Sequence, residues 1–94
     1  MQEIQIKIEK GLPSLSGNSY GRKVYLEQFK YAFEKDRQIC VIIPDQVERI
    51  GISFVQGFIH DIAEKYGKGN VQKYITIKSN NQKLVQKFYA SMQI

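Results

Sequence analysis

The chain of 94 residues reads as one small α/β domain with a mostly parallel central sheet, and three observations carry that reading. The unbroken run Ile39 to Ile43 has the length and β-branched content of a strand buried in the middle of a parallel sheet. Strand and helix periodicities alternate in the order β-α-β-α-β-α, which implies right-handed crossovers and helices packed on the sheet. The length leaves room for one core, since a chain of this size buries only roughly 60% of its unfolded surface. About four strands and three helices are expected, with residues 1–19 as an edge strand and loop and 20–94 as the main αβαβα unit.

Ile4, Ile6 and Ile8 alternate with Gln5, Lys7 and Glu9, the period of a half-buried strand at an edge. The glycines and serines around Pro13, from Gly11 to Gly21, read as a loop, with room for a short hairpin partner near Leu12 to Ser16. Val24, Tyr25, Leu26, Phe29, Ala32 and Phe33 form an apolar helical stripe from about Gly21 to Lys35. Asp36 and Arg37 break it before the central strand, which is expected to be covered on both faces. A second amphipathic helix carries Phe54, Val55, Phe58, Ile59 and Ile62 and stops near Tyr66-Gly67. After a turn at Lys68 to Asn70, the residues Val71, Lys73, Ile75 and Ile77 read as another strand. Ser79 to Gln82 has capping-box spacing and opens a last helix whose apolar face is Leu84, Val85, Phe88, Tyr89 and Met92.

Hydrophobic residues make up 43% and charged residues 24% of the chain, values typical of a folded domain. No stretch approaches the ~18 apolar residues of a membrane span, and MQEIQIKIEK is too polar and acidic for a signal peptide, so a cytoplasmic protein is expected. The single cysteine, Cys40, lies among isoleucines and valine and is expected to act as a small buried hydrophobe rather than as half of a disulfide or a metal ligand. The net charge of +5 is uneven: residues 1–50 hold eight basic against seven acidic side chains, residues 51–94 six against two. No acidic residue follows Glu64. The lysines from Lys65 onward, among them Lys83 and Lys87, form either a solvated face or a site for a polyanion.

Catalytic chemistry finds little support. His60, the only histidine, falls on the outer side of the second helix and has no evident nucleophile to serve. Asp45 and Glu48 flank a turn, and Asp61 and Glu64 lie on a helix exterior, so neither pair reads as a poised acid and base. No His, Cys or carboxylate cluster suits a metal, and no cofactor is expected. Tyr66-Gly67-Lys68-Gly69-Asn70 lacks the strand and the Gly-Lys-Ser/Thr ending of a phosphate loop. The glycine loop before Gly21, Arg22 and Lys23 is either a plain helix start or an anion site. The six tyrosines, interleaved with lysines, allow a single-strand nucleic-acid reading in which Tyr74 is the best placed for base stacking.

The run Val47 to Phe58, VERIGISFVQGF, joins the buried strand to the second helix and sets Ser53 three residues before Gln56, the spacing of a capping box. The order Asp45, Val47, Ile50, Ser53, Phe54, with Phe58 in the following helix, resembles the strand-loop-serine-helix pattern of STAS and STAS-like domains, which include the bacterial anti-sigma-factor antagonists. The match is nearest to a small STAS-like family of unassigned function, with Gly21-Arg22 in the place of that family's first helix start. The resemblance spans roughly residues 20 to 90. Gly51-Ile52 before Ser53 and Phe54 after it depart from the Asp-Ser and Gly that flank the phosphorylated serine in the antagonists.

The resemblance implies a non-enzymatic regulatory module that docks onto a protein partner, such as an ATP-dependent serine kinase of the histidine-kinase-like class. Ser53 would be the phospho-acceptor and a structural cap at once. Ile52, Val55 and Gln56 would line the contact, and Arg49 and Gly51 would shape the loop. The alternative is a nucleic-acid or other polyanion binder using the lysine-rich C-terminal third, with Arg22, Lys23, Lys83 and Lys87 as anion contacts.

Overall fold

The computed structural model describes residues 2–35 and 38–94; the helix break at Asp36-Arg37 lies outside them. In chain order the elements are β1 (Gln2–Gln5), β2 (Ser14–Leu15), α1 (Asn18–Val24), a π-helical turn (Tyr25–Phe29), α2 (Lys30–Lys35), β3 (Ile39–Ile42), β4 (Arg49–Ile50), α3 (Ile52–Tyr66), a 3-10 segment (Lys68–Lys73), β5 (Ile75–Lys78) and α4 (Gln82–Met92). The α/β class and the parallel sheet agree with the sequence reading, while the count of strands and helices does not.

The main sheet has three strands, not four, in the spatial order β1-β3-β5, all parallel. The isoleucine run therefore does supply the central strand, and the N-terminal strand does lie at an edge. The segment near Leu12 to Ser16 is a short strand, yet it forms no hairpin. β2 pairs in parallel with β4, Ser14 opposite Arg49 and Leu15 opposite Ile50. The reason is topological. β2 and β4 follow the loops that leave the C-terminal ends of neighbouring parallel strands, so they run on side by side. The Pro13 carbonyl accepts from the Glu48 N–H at 2.6 Å and the Arg49 N–H at 3.3 Å, tying the two loops together.

Four α-helical segments replace the expected three, because the first rod starts at Asn18 and is interrupted by the π turn. Buried Val24 and Phe29 are five residues apart, where an α-helix would have turned Gln28 inward. The wide turn sends Phe29 into the core and leaves Gln28 free to bond the Lys7 backbone. It also takes Leu26 out of the apolar stripe, to 43% exposure.

Gly21 is inside α1, not at its start, and Gly57 faces it from α3. A Cβ on Gly21 would collide with the Phe54 carbonyl and lie 2.9 Å from Phe58 N; one on Gly57 would collide with the Asn18 carbonyl and lie 3.1 Å from Arg22 N. All of these are backbone atoms, so the two helices cross at a distance only glycine permits. Behind the crossing, Phe58 is fully buried and meets the rings of Phe29, Tyr25, Phe88 and Phe54 at centroid distances of 5.0, 5.8, 5.9 and 6.3 Å. Such pairs add about 0.5–1.5 kcal/mol each to the burial of their area.

The sheet register aligns Ile4 with Val41 and Ile77, and these side chains belong to the core beneath the helices. The other face aligns exposed Glu3 with Cys40 and exposed Thr76, and exposed Gln5 with Ile42 and exposed Lys78. β3 is thus covered by helices on one face only, a correction to the two-sided burial expected of it. Cys40 stays buried on the bare face because it is short and lies between its neighbours. Glu3 and Lys78 approach within 3.9 Å across β3, and burial pushes the Cys40 thiol pKa up.

Two further boundaries shift. Val71 and Lys73 belong to the 3-10 segment, so β5 starts only at Ile75. The cap of α4 is Asn81, whose side chain accepts from the Lys83 N–H at 3.0 Å, while Ser79 Oγ accepts from the Asn81 N–H one step earlier. α3 does end at Tyr66 against Gly67. Among the described residues no helix is long and apolar enough to cross a membrane.

Candidate partner-docking site

The region around Ser53 is built by the small ladder. The Gly51 N–H donates to the Leu15 carbonyl at 2.8 Å, which holds Gly51 extended, at φ −91° and ψ 149°, as the residue before α3. The helix then begins at once. Gly51 is the N-cap, no side chain caps this end, and Ser53 sits inside the first turn. The capping box drawn from the Ser53–Gln56 spacing is therefore not formed. Ladder pairing fixes the helix start two residues before the place the side-chain pattern indicates. Gln56 turns instead toward the Ile94 carbonyl, 3.5 Å from its Nε2.

Val55 N–H makes the first helical bond, to Gly51 O at 3.3 Å, so the amides of Ile52, Ser53 and Phe54 stand at the helix mouth. Ser53 is exposed, Ile52 is 36% exposed, and Arg49 points to solvent from β4. Val55 has no exposed surface and is removed from the contact residues. The preceding loop is tied down: Gln46 Nε2 donates to the Glu9 and Leu12 carbonyls at 2.9 and 3.2 Å, and Asn80 Nδ2 to Asp45 at 2.9 Å. The structure thus groups Arg49, Gly51, Ile52 and Ser53 in one held corner, with Gln56 half-buried a turn further along α3.

The expected anion residues are divided between α1, which carries Arg22 and Lys23, and α4, which carries Lys83 and Lys87. Arg22 donates to Asp61 at 2.9 Å and lies 2.9 Å from His60 Nδ1, so its guanidinium is already engaged. Its neighbour Lys23 is exposed, and Lys83 and Lys87 lie exposed on α4, one turn apart.

Sequence reading missed the group formed by Arg22, His60, Asp61 and Glu64. His60 and Glu64 are one helical turn apart, with Nε2 at 3.4 Å from the carboxylate, a spacing visible in sequence. Arg22 joins them only through the helix crossing. His60 Nδ1 lies 2.9 Å from the Arg22 guanidinium and 3.2 Å from Asp61 Oδ1, and the ring's tautomer sets which of the two it bonds. Asp61 is held below its ordinary pKa, first by the Arg22 hydrogen bond and then by the His60 contact, against the upward pull of burial. Tyr74 is not the free ring of a stacking platform either. It stacks on Tyr66 with centroids 3.8 Å apart, and Lys65 Nζ lies 5.3 Å from the Tyr66 ring. Among the described residues no set of three or more His, Cys, Asp or Glu side chains is arranged to hold a metal ion.

No family model, no curated protein and no solved structure matches this chain.

Proposed function

We propose that the protein is a non-enzymatic regulatory interaction module, similar to the STAS-like anti-sigma-factor antagonists, that docks onto a protein partner through the corner around Ser53. The observation that carries this reading is the exposure of Ser53 in the first turn of α3, beside exposed Ile52 and Arg49, on a corner held by the β2·β4 ladder. The hydroxyl caps nothing, so it is free for modification. Phosphorylation would set roughly two negative charges at the positive end of α3, where the fold tolerates them, while changing the surface a partner meets. A serine kinase of the histidine-kinase-like class fits the role of partner. Incubation with such a kinase and ATP is expected to add one phosphate to the wild type and none to Ser53→Ala. No phosphate on the wild type, or equal gain on both, ends the switch reading.

A second reading rests on Lys83 and Lys87, exposed one turn apart on α4 in the half of the chain that holds six basic and two acidic residues. Here the protein binds nucleic acid or another polyanion. Affinity then falls steeply with salt and drops on Lys83→Glu with Lys87→Glu, while Ser53→Ala leaves it unchanged. Absence of any binding to single- or double-stranded nucleic acid at low salt removes this reading.

A further inference from the structure

The two edges of the main sheet end differently. On β5 the Ile77 N–H, turned away from β3, donates to Tyr89 Oη at 2.9 Å, so α4 covers that edge. On β1 the Ile6 N–H donates to the Ile42 carbonyl. By alternation Gln2, Ile4 and Ile6 face β3, and Glu3, Gln5 and Lys7 turn their N–H and C=O groups outward. Gln28 closes the last of these: the Lys7 N–H donates to its Oε1 at 2.7 Å, and its Nε2 donates to the Lys7 carbonyl at 2.9 Å. Among the described residues nothing bonds the outward backbone of Glu3 or Gln5, both exposed. A groove of about 570 Å³ runs beside them, lined by the chain from Glu3 to Ile8 with Pro44 and Gln46. A bare strand edge of this kind is a template for another strand.

We propose that the β1 edge pairs with the β1 edge of a second copy of this chain, antiparallel about a two-fold axis through Ile4. The register follows from what is open. Among the described residues Glu3 and Gln5 are the two outward ones without cover, and they lie symmetrically about Ile4. A two-fold axis there sets Glu3 opposite the second copy's Gln5, and Gln5 opposite its Glu3, and each pair exchanges both backbone hydrogen bonds. Acid meets neutral amide, with no like charges opposed. Ile4, half-buried at the rim of the helix-covered face, meets its own copy at the close non-hydrogen-bonded position and completes its burial. Lys7 falls beyond the pairing and keeps its Gln28 bonds. The resulting sheet runs β5-β3-β1-β1-β3-β5, and both of its outer edges are the ones Tyr89 covers. A peptide from another protein would have to bring a matching register, whereas a second copy supplies it by symmetry.

The test is a cysteine scan in a Cys40→Ala background under mild oxidation, with sedimentation equilibrium on the wild type. Ile4→Cys, opposite itself across the axis, is expected to form a disulfide-linked dimer. Gln5→Cys, opposite glutamate, is expected to form no disulfide-linked dimer. The wild-type mass is expected to rise with concentration from 10.9 kDa toward twice that value. Gln5→Pro removes only an outward N–H, so it is expected to abolish the dimer and keep the folded circular-dichroism spectrum. A wild type that stays monomeric up to its solubility limit overturns the proposal. So does Gln5→Cys cross-linking as readily as Ile4→Cys, or a dimer that survives Gln5→Pro.

Discussion

Ser53 and Gly57 are one turn apart on α3, and the fold treats them in opposite ways. At Gly57 there is no room for a single methyl, because the α1 backbone occupies the place a Cβ would take. At Ser53 the side chain is exposed and bonds no helix amide. The contrast separates two reasons for a residue to matter. Gly57 and its opposite Gly21 are required by packing. Ser53, with Ile52 and Arg49, is not required by packing at all, so any demand on it has to come from outside the chain.

That contrast is sharpest when its buried side is attacked. Phe58→Ala, next to Gly57 and at the centre of the ring cluster, is expected to cost about 3–5 kcal/mol in urea or thermal unfolding. Gly57→Ala and Gly21→Ala each push a methyl into rigid backbone and are expected to cost about 1–3 kcal/mol or more, with α1 and α3 forced apart. If either alanine variant melts like the wild type, the close crossing is wrong.

Between the two extremes stands the Arg22–Asp61 pair, 2.9 Å apart and partly exposed, which fastens the outer side of the same crossing. Asp61 has a lowered pKa in the fold, so its contribution is present at neutral pH. It is lost as pH falls through and below the usual carboxylate range near pH 4. Asp61→Asn is expected to lower stability at neutral pH by the modest worth of a partly exposed pair, about 0.2–1 kcal/mol, and to flatten the acid limb of the stability–pH curve by the same amount; an unaltered acid limb contradicts the pairing.

The smallest effect is expected on the exposed side. Ser53→Ala should alter stability by less than about 0.5 kcal/mol, whereas a capping serine would cost about 1 kcal/mol on the same change. A loss of that larger size would show that Ser53 does support the helix start. A neutral result alongside a lost phosphate would place its role wholly in recognition.

Much of this frame was legible in the residues. The central strand follows from five consecutive β-branched and small apolar residues, an edge strand from the Ile4-Ile6-Ile8 alternation, although β1 runs only Gln2–Gln5 and holds Ile4 alone of the three, and α3 from its apolar stripe and Gly67. What misled the reading were local cap rules where tertiary bonds had precedence. Ser53 and Gln56 have capping-box spacing, but Gly51 is already fixed by Leu15 from 36 positions earlier in the chain, and the helix starts from there. Ser79 yielded its cap to Asn81 because it bonds the Asn81 amide instead. Leu26 left the apolar stripe because the π turn adds a residue to one turn of the rod, a change that a fixed helical period cannot register.

The sequence by itself determined the α/β class, the parallel centre and the apolar faces, because these depend on periodicity and composition within a single segment. Only the tertiary structure decided which serine is uncapped, that Arg22 is engaged by Asp61 and His60, that Gly21 and Gly57 are one contact, and that Tyr89 and Gln28 cover one sheet edge and the end of the other. Each of those facts joins two segments at a particular crossing or register, and nothing in either segment alone carries the coordinates of its partner.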